Sequence, residues 1–252
     1  MKNSLISLLF SLALLAANPA QAQKEWYFGM ELGPKYDHFK TTRSGTSTSG
    51  AKLEVVRDIA ATAGAKIGVN VDDRFNFELG LYRNNYNVAM AITSSAGNLL
   101  FEKELVNTLN TYMVPLSFNL HFPLANQKQV FWFGGGLSLL LSPKTDFLGA
   151  YSSPTKTLEA NGSTVDQMQY NRYQHLLEGS IYTFNLTTGL DVAIYENIFL
   201  SLNITGRIGI AGTDSYLVEL NDNSGKSLYK VSNNGTSIQS CFGFKYFFKT
   251  TD

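Results

Sequence analysis

Apolar and polar or small residues alternate along this chain with a period of two, most cleanly from Tyr112 to Leu124. Tyr112, Val114, Leu116, Phe118, Leu120, Phe122 and Leu124 fall on one face. Met113, Pro115, Ser117, Asn119, His121 and Pro123 fall on the other, with Met113 the clear exception to the pattern. Successive strand side chains take opposite faces, whereas a helix brings apolar residues back every three to four positions, so the segment predicts a β-strand. At about 3.3 Å per residue it runs roughly 40 Å, and tilted by about 45° it crosses roughly 30 Å, the thickness of a bilayer's hydrocarbon. One apolar and one wettable face over that length is how a membrane-barrel strand reads.

Seven other segments alternate in the same way. Their apolar faces carry Trp26 to Leu32, Ala61 to Val71, Phe75 to Leu81, Phe131 to Leu141, Tyr182 to Ile194, Ile198 to Ile210 and Ile238 to Phe248. Tight polar links fall at Asp72-Asp73-Arg74, near Ala125 to Lys128, and at Tyr195-Glu196-Asn197. The remaining links are long and rich in Ser, Thr, Asn and Gly: about Pro34 to Asp58, Thr93 to Asn110, Pro143 to Ser180 and Gly212 to Gly235. An even number of strands joined alternately by short and long links predicts an all-β chain. The expected fold is an eight-stranded antiparallel up-and-down transmembrane β-barrel with short periplasmic turns and long extracellular loops.

The start of the chain changes the picture of where it goes. Lys2 precedes an apolar run from Leu5 to Ala17, and Ala20-Gln21-Ala22 supplies small residues at signal-peptidase spacing. The run is shorter than the roughly 20 residues a spanning helix needs. A cleaved signal peptide over residues 1–22 and one barrel domain over 23–252 are therefore expected. The 20 Lys and Arg balance the 20 Asp and Glu, so charge favours neither nucleic acid nor a strongly acidic partner. Cys241 is the only cysteine, which excludes a disulfide framework within the chain and a multi-cysteine metal site.

The first strand reads Trp26-Tyr27-Phe28-Gly29-Met30-Glu31-Leu32-Gly33. The fourth carries Tyr112-Met113-Val114-Pro115-Leu116, and Phe131-Trp132-Phe133-Gly134-Gly135-Gly136 opens the fifth. Together these segments resemble the PorT-like eight-stranded outer-membrane β-barrel proteins of Bacteroidetes. The resemblance implies a bacterial outer-membrane location, with a secretion role for some members. Gly243, Tyr246 and Phe248 are similar to a barrel-assembly signal, although Lys249 to Asp252 continue past the last aromatic. Expected partners are outer-membrane lipid, the barrel-assembly machinery during insertion, and a secretion-system or surface partner met through the loops.

About eight strands enclose a lumen that side chains fill. The face opposite the apolar one carries Gly, Ser, Thr and Asn with six charges: Glu31, Lys66, Glu78, Asp191, Arg207 and Lys245. Counted from the short turns, Glu31, Lys66 and Glu78 reach similar depth on adjacent strands. Lys66 is expected between the two carboxylates, with Lys245 reaching Glu31 across the barrel closure. This interior charge cluster is read as a structural plug, since unpaired buried charge is costly.

Two alternatives stand beside this reading. A secreted lipocalin-like barrel would turn its apolar face inward around a ligand. Against it, Trp26, Phe75, Tyr112, Phe122, Phe131, Tyr246 and Phe248 lie near strand ends on the apolar face, as interface girdles do. A loop-borne enzyme acting by acyl transfer could draw on Asp37, His38 and Ser44 at the outer rim. No zinc motif, phosphate loop or dinucleotide fingerprint is present, and neither catalytic residues nor cofactors are expected.

Overall fold

The computed structural model describes residues 24–45, 52–57, 59–84, 87–93, 99–106, 111–124, 128–141, 148–149, 156–160, 163–222 and 225–248. The signal-peptide segment lies outside the described residues. Eight strands form the barrel: β1 Lys24–Asp37, β2 Ile59–Val71, β3 Phe75–Asn84, β4 Tyr112–Pro123, β5 Gln129–Leu141, β6 Ser163–Tyr195, β7 Ile198–Asp222 and β8 Ser237–Phe247. Each pairs antiparallel with its neighbours in sequence, and β8 returns to β1 through Tyr27↔Phe247 to Asp37↔Ser237, so no barrel edge is left open. No helix occurs among the described residues.

The turn end is compact. Asp72 and Asp73 both take positive φ, 54° and 53°, and Arg74 N–H donates to Val71 O at 3.3 Å. That backbone twist suits a tight hairpin, and aspartate is among the few non-glycine residues that accept it.

Alternation translates directly into burial. Trp26, Phe28, Met30 and Leu32 of β1 point outward and are 40–62% exposed, while Tyr27 and Glu31 between them are buried. Phe75, Leu79, Phe118, Phe133, Leu137, Phe184, Leu202, Ile204, Phe242 and Phe244 continue the exposed apolar belt around the barrel. Trp26, Phe75, Phe122, Phe131, Tyr195, Tyr246 and Phe248 ring its turn end, and Tyr112 and Tyr182 stand near the other. A lipocalin-like arrangement would need the reverse orientation, and the structure excludes it.

The far end corrects the expectation of loops. β1 runs four residues beyond Gly33, because the alternation continues through Lys35 and Asp37 and Pro34 faces outward. Pro143 to Ser180 and Gly212 to Gly235 are largely strand. β6 and β7 stay paired up to Gln169↔Asn221, and residues Gly225–Asn233 fold back along β7 and pair in turn with Lys40–Gly45. From Glu178↔Thr213 to Gln169↔Asn221 this wall extends roughly 30 Å along its strands at about 3.3 Å per residue. The register shifts between Glu178 and Tyr182, opposite Gly212. Gly212 has φ 80°, and a Cβ there would stand 2.3 Å from Ser180 O, so only glycine suits the joint between barrel and raised wall.

Asn87–Thr93 pairs with Lys52–Arg57 of the first long link and with Leu99–Val106 of the second to form a separate three-stranded sheet. Beyond the barrel the buried set is mixed: Phe39, Val218, Tyr229 and Val231 are buried together with Ser215, Ser227 and Asn233, and Leu53 and Ala91 are buried in the three-stranded sheet.

Leu202 lies between Leu190 and Phe242 in the belt. Leu202→Arg should cost about 2–4 kcal/mol of folding free energy in lipid vesicles. Asn203→Ser, one residue along and facing the lumen, should cost far less. Denaturant titration in vesicles measures both, and equal costs would contradict the assigned faces.

Candidate functional site

The chemistry-bearing residues of the barrel converge in its lumen. Lys66 of β2 forms an ion pair with Glu31 of β1 and lies 3.2 Å from Glu78 Oε1 of β3. These three sit together because Gly29↔Lys66↔Gly80 is one register step from Glu31↔Gly64 and from Gly68↔Glu78. Lys245 of β8 does not reach for Glu31. It pairs with Asp191 Oδ2 of β6 at 2.7 Å and with Glu78 Oε1 at 3.5 Å. The physical reason is register: Lys245 stands opposite Gly29 and Phe199, a step nearer the turns than Glu31, which stands opposite Gly243. Five side chains thus form a line of alternating sign, Asp191, Lys245, Glu78, Lys66 and Glu31, each at most 7% exposed.

Three aromatic side chains finish this line. Tyr82 OH donates to Glu31 Oε2 at 2.9 Å, Tyr27 OH hydrogen-bonds Glu78, and Trp132 Nε1 donates to Asp191 Oδ1 at 3.1 Å. Ser201 Oγ donates to the same Asp191 oxygen at 2.7 Å. The Trp132 ring also faces both ammonium groups, 4.8 Å from Lys245 Nζ and 5.6 Å from Lys66 Nζ, and Lys245 lies 5.2 Å from the Tyr27 ring. A buried ion pair is sound only when its remaining donors and acceptors are satisfied, and these rings supply donors and π-faces where water is scarce.

Glycines make the room. A Cβ on Gly68 would stand 2.3 Å from the Tyr27 ring, and one on Gly189 2.4 Å from the Trp132 ring. Each glycine is the neighbour of its aromatic in the register or nearly so: Tyr27↔Gly68 and Trp132↔Gly189. Parity in the sequence places Tyr27, Tyr82 and Trp132 on the wettable face, but the expected lumen filling counted only small, polar and charged residues and gave these rings no role.

Other polar groups fill the lumen on both sides of the charged line. Towards the turns Asn119 Nδ2 donates to Asn76 Oδ1 at 3.2 Å, and Asn76 in turn donates to Asn70. Towards the raised wall Lys35 pairs with Asp37 at 2.8 Å and donates to Asn84 Oδ1 at 2.7 Å. Arg207 aligns with Asp37 through Ser237 and acts electrostatically on both Lys35 and Asp37. Beside the charged line lies a cavity of about 40 Å³ lined by Glu31, Lys66, Glu78, Trp132, Arg207 and Gln239, with room for more than one water. Towards the turns a second cavity, of about 340 Å³, reaches inward to His121 and Asp191.

The rim trio is not assembled. Asp37 faces the lumen and pairs with Lys35, whereas His38, next along the strand, is exposed on the opposite face. Ser44 lies in the Lys40–Gly45 strand, opposite Leu228 and on the far side of an extended run from His38. The imidazole therefore has neither its carboxylate nor its hydroxyl at hand. Cys241 is buried and free. The side chain of His175 lies outside the described residues, and no group of three metal-ligating side chains gathers among those described.

Lys66→Met would strand Glu31 in a confined lumen and leave Glu78 to Lys245 alone, and should destabilise the barrel by about 3–5 kcal/mol. Gly68→Ala should cost about 1–3 kcal/mol through overpacking against Tyr27. Denaturant unfolding in detergent or lipid reads both, and a neutral Lys66→Met would contradict the pairing role of Lys66.

No family model matches the chain, and no curated protein matches it. Solved structures of similar shape include the outer membrane protein OprG from Pseudomonas aeruginosa, at 12% identity and TM-score 0.48, covering 91% of this chain and 99% of that one. Neisserial surface protein A is similar at 12% identity and TM-score 0.41, covering 88% and 97%. The outer membrane protein AlkL, solved in DMPC bilayers, is similar at 10% identity and TM-score 0.41, covering 93% and 95%. The closed barrel described above rests on the strand pairing of this chain itself.

Proposed function

We propose that this chain is an integral protein of a bacterial outer membrane, with its turn end in the periplasm. Its barrel is sealed, and the chain works as a binding or interaction protein through the raised wall and the three-stranded sheet. Two features support the membrane location. The apolar belt with aromatic rings at its ends matches a hydrocarbon slab with two interfaces, and the sequence opens on a segment with the signature of an export leader. The observation that carries the functional reading is the line Asp191–Lys245–Glu78–Lys66–Glu31 across the lumen. A solute would have to part paired charges and displace Trp132 and Tyr27, both 1% exposed, to pass. A barrel closed in this way offers its surfaces rather than its lumen.

The raised wall offers the largest such surface. It continues two barrel strands rather than hanging from them, and Arg43 clamps its fold-back by donating to Ser227 Oγ at 3.1 Å and lying 5.7 Å from the Tyr229 ring. A rigid platform loses little entropy on binding. Service to a secretion system is the form of interaction that the PorT-like resemblance implies.

Planar-bilayer recording of the purified protein should show no sustained conductance, and a stable ohmic channel would overturn the sealed-lumen reading. Replacing residues 216–231 by Asn-Gly should leave the barrel folded while removing the fold-back. Copurification from the native outer membrane should then lose the partner held by the full chain. Equal retention by both forms would overturn the role of the wall.

A further inference from the structure

We infer that the outward face of the fold-back, with Lys40, Lys230 and Lys226, is a docking surface for the phosphorylated headgroup of an anionic glycolipid in the outer leaflet. Alternation sets which side chains lie there. Met30, Leu32 and Pro34 of β1 face outward, and the alternation runs on through buried Asp37, exposed His38, buried Phe39 and exposed Lys40. On the fold-back Lys226, Leu228, Lys230 and Ser232 alternate with the buried Ser227, Tyr229, Val231 and Asn233. Ser232↔Lys40 and Lys230↔Thr42 are direct partners, so both strands present one outward face.

Charge and position together point to lipid phosphate. Lys40 and Lys230 are diagonal neighbours across the strand pair, close enough for one anion to touch both. Among the described residues that β7, the fold-back and Lys40–Gly45 place on this face, Glu219 is the only acid, and it lies 3.6 Å from Lys226. Lys40 follows Tyr36 by four residues, at most about 14 Å of extended chain. Below it the same face is apolar through Pro34, Leu32 and Met30 on β1 and through Ile238 and Phe242 on β8. The cations therefore continue the lipid-facing surface of the barrel into the headgroup layer, where anionic groups gather. Lysine and arginine on Lys40–Gly45 also discourage pairing of that strand with a second copy of itself.

A glycolipid fits better than a phospholipid because the cations do not stop at one height. From the position of Lys40, opposite Ser232, to Lys226 the strand advances six residues, about 20 Å. A phospholipid carries its phosphate at one depth, whereas a phosphorylated glycolipid carries anionic groups on saccharides that stand above the hydrocarbon. The inference deepens the reading of the wall as a binding surface and rests on it for placing this end at the outer leaflet. The test runs on the purified full chain in maltoside micelles, where sidedness plays no part. Its failure therefore leaves the conductance and copurification outcomes standing.

The probes are diphosphoryl lipid A, phosphatidylglycerol and hexaglutamate, each titrated into the micellar protein with occupancy read by native mass spectrometry. Lipid A should bind saturably and at least about tenfold more tightly than phosphatidylglycerol. Lys40→Gln and Lys230→Gln should each weaken lipid A binding about fivefold, the loss expected for one basic residue at an anionic lipid surface. The double variant should lose about 25-fold if the two lysines act independently. Lys128→Gln, an exposed site at the turn end, should leave affinity unchanged. Lys40 is fully on the surface, so Lys40→Gln keeps the barrel folded and carries the test even alone. Equal affinity for phosphatidylglycerol would overturn the assignment to a glycolipid, and tighter binding of hexaglutamate would transfer the face to an acidic polypeptide. Lipid A affinity unchanged in the Lys40 and Lys230 variants would overturn the inference outright.

Discussion

Two lysines hold three carboxylates together in the lumen, each of the five at most 7% exposed, and the rest of the barrel is arranged around that fact. Lys66 and Lys245 each touch two carboxylates, so Glu78 is shared and the five charges form one object rather than separate pairs. The members come from five different strands, β1, β2, β3, β6 and β8. Removing either lysine would leave the end carboxylate beside it, Glu31 or Asp191, without a cation in low dielectric. Such an arrangement is costly to desolvate and becomes sound only once every strand has taken its register. The network therefore selects one register, which matters in a small barrel where a slip of one residue would turn every outward side chain inward.

Glycine and aromatic residues do the complementary work. Eight strands give a lumen too narrow for rings on every strand, so Tyr27 and Trp132 occupy the space that Gly68 and Gly189 leave on their neighbours. Without those glycines the rings could not lie flat against the wall, and without the rings the lysines would lose both donors and π-faces around them. Packing and electrostatics here are one constraint. Pairing of charge satisfies the centre of the lumen, and the asparagines of β2, β3 and β4 bond one another on the turn side, while Asn203 Nδ2 and Gln239 Oε1 find no partner among the described residues.

Much of this was legible in the sequence because a strand with lipid on one face and protein on the other must alternate. All eight barrel strands show that pattern, and counting residues from the short turns brings Glu31, Lys66 and Glu78 to similar depth, within two residues of level in the register. The partner of Lys245 was not legible. It depends on the offset between β8 and β1, a property of barrel shear that no single strand records. The raised wall escaped for a different reason. Its strand Gly225–Asn233 buries Ser227, Tyr229, Val231 and Asn233, a mixed face whose period is two but whose hydrophobic contrast is faint. Ser, Thr and Asn there read as loop because their usual role is in turns, and only pairing with β7 and with Lys40–Gly45 makes them strand. Lys35 and Asp37 were hidden by Pro34, which reads as a strand end but can sit in a strand wherever its missing N–H is not needed.

The two ends of the barrel follow different rules, and that asymmetry bears on function. At the turn end the chain reverses in a few residues, the walls stop at one height, and acidic side chains rim a cavity that ends on His121. At the other end the rule loosens. Beyond the joint at Gly212 the buried set is mixed, Val218, Tyr229 and Val231 with Ser215, Ser227 and Asn233. A chain surrounded by lipid must put apolar groups outside, and a chain surrounded by water is free to put them inside. Below the joint every barrel strand obeys the first demand, and above it apolar side chains enter the interior, so the charged line lies between two ends of different chemistry.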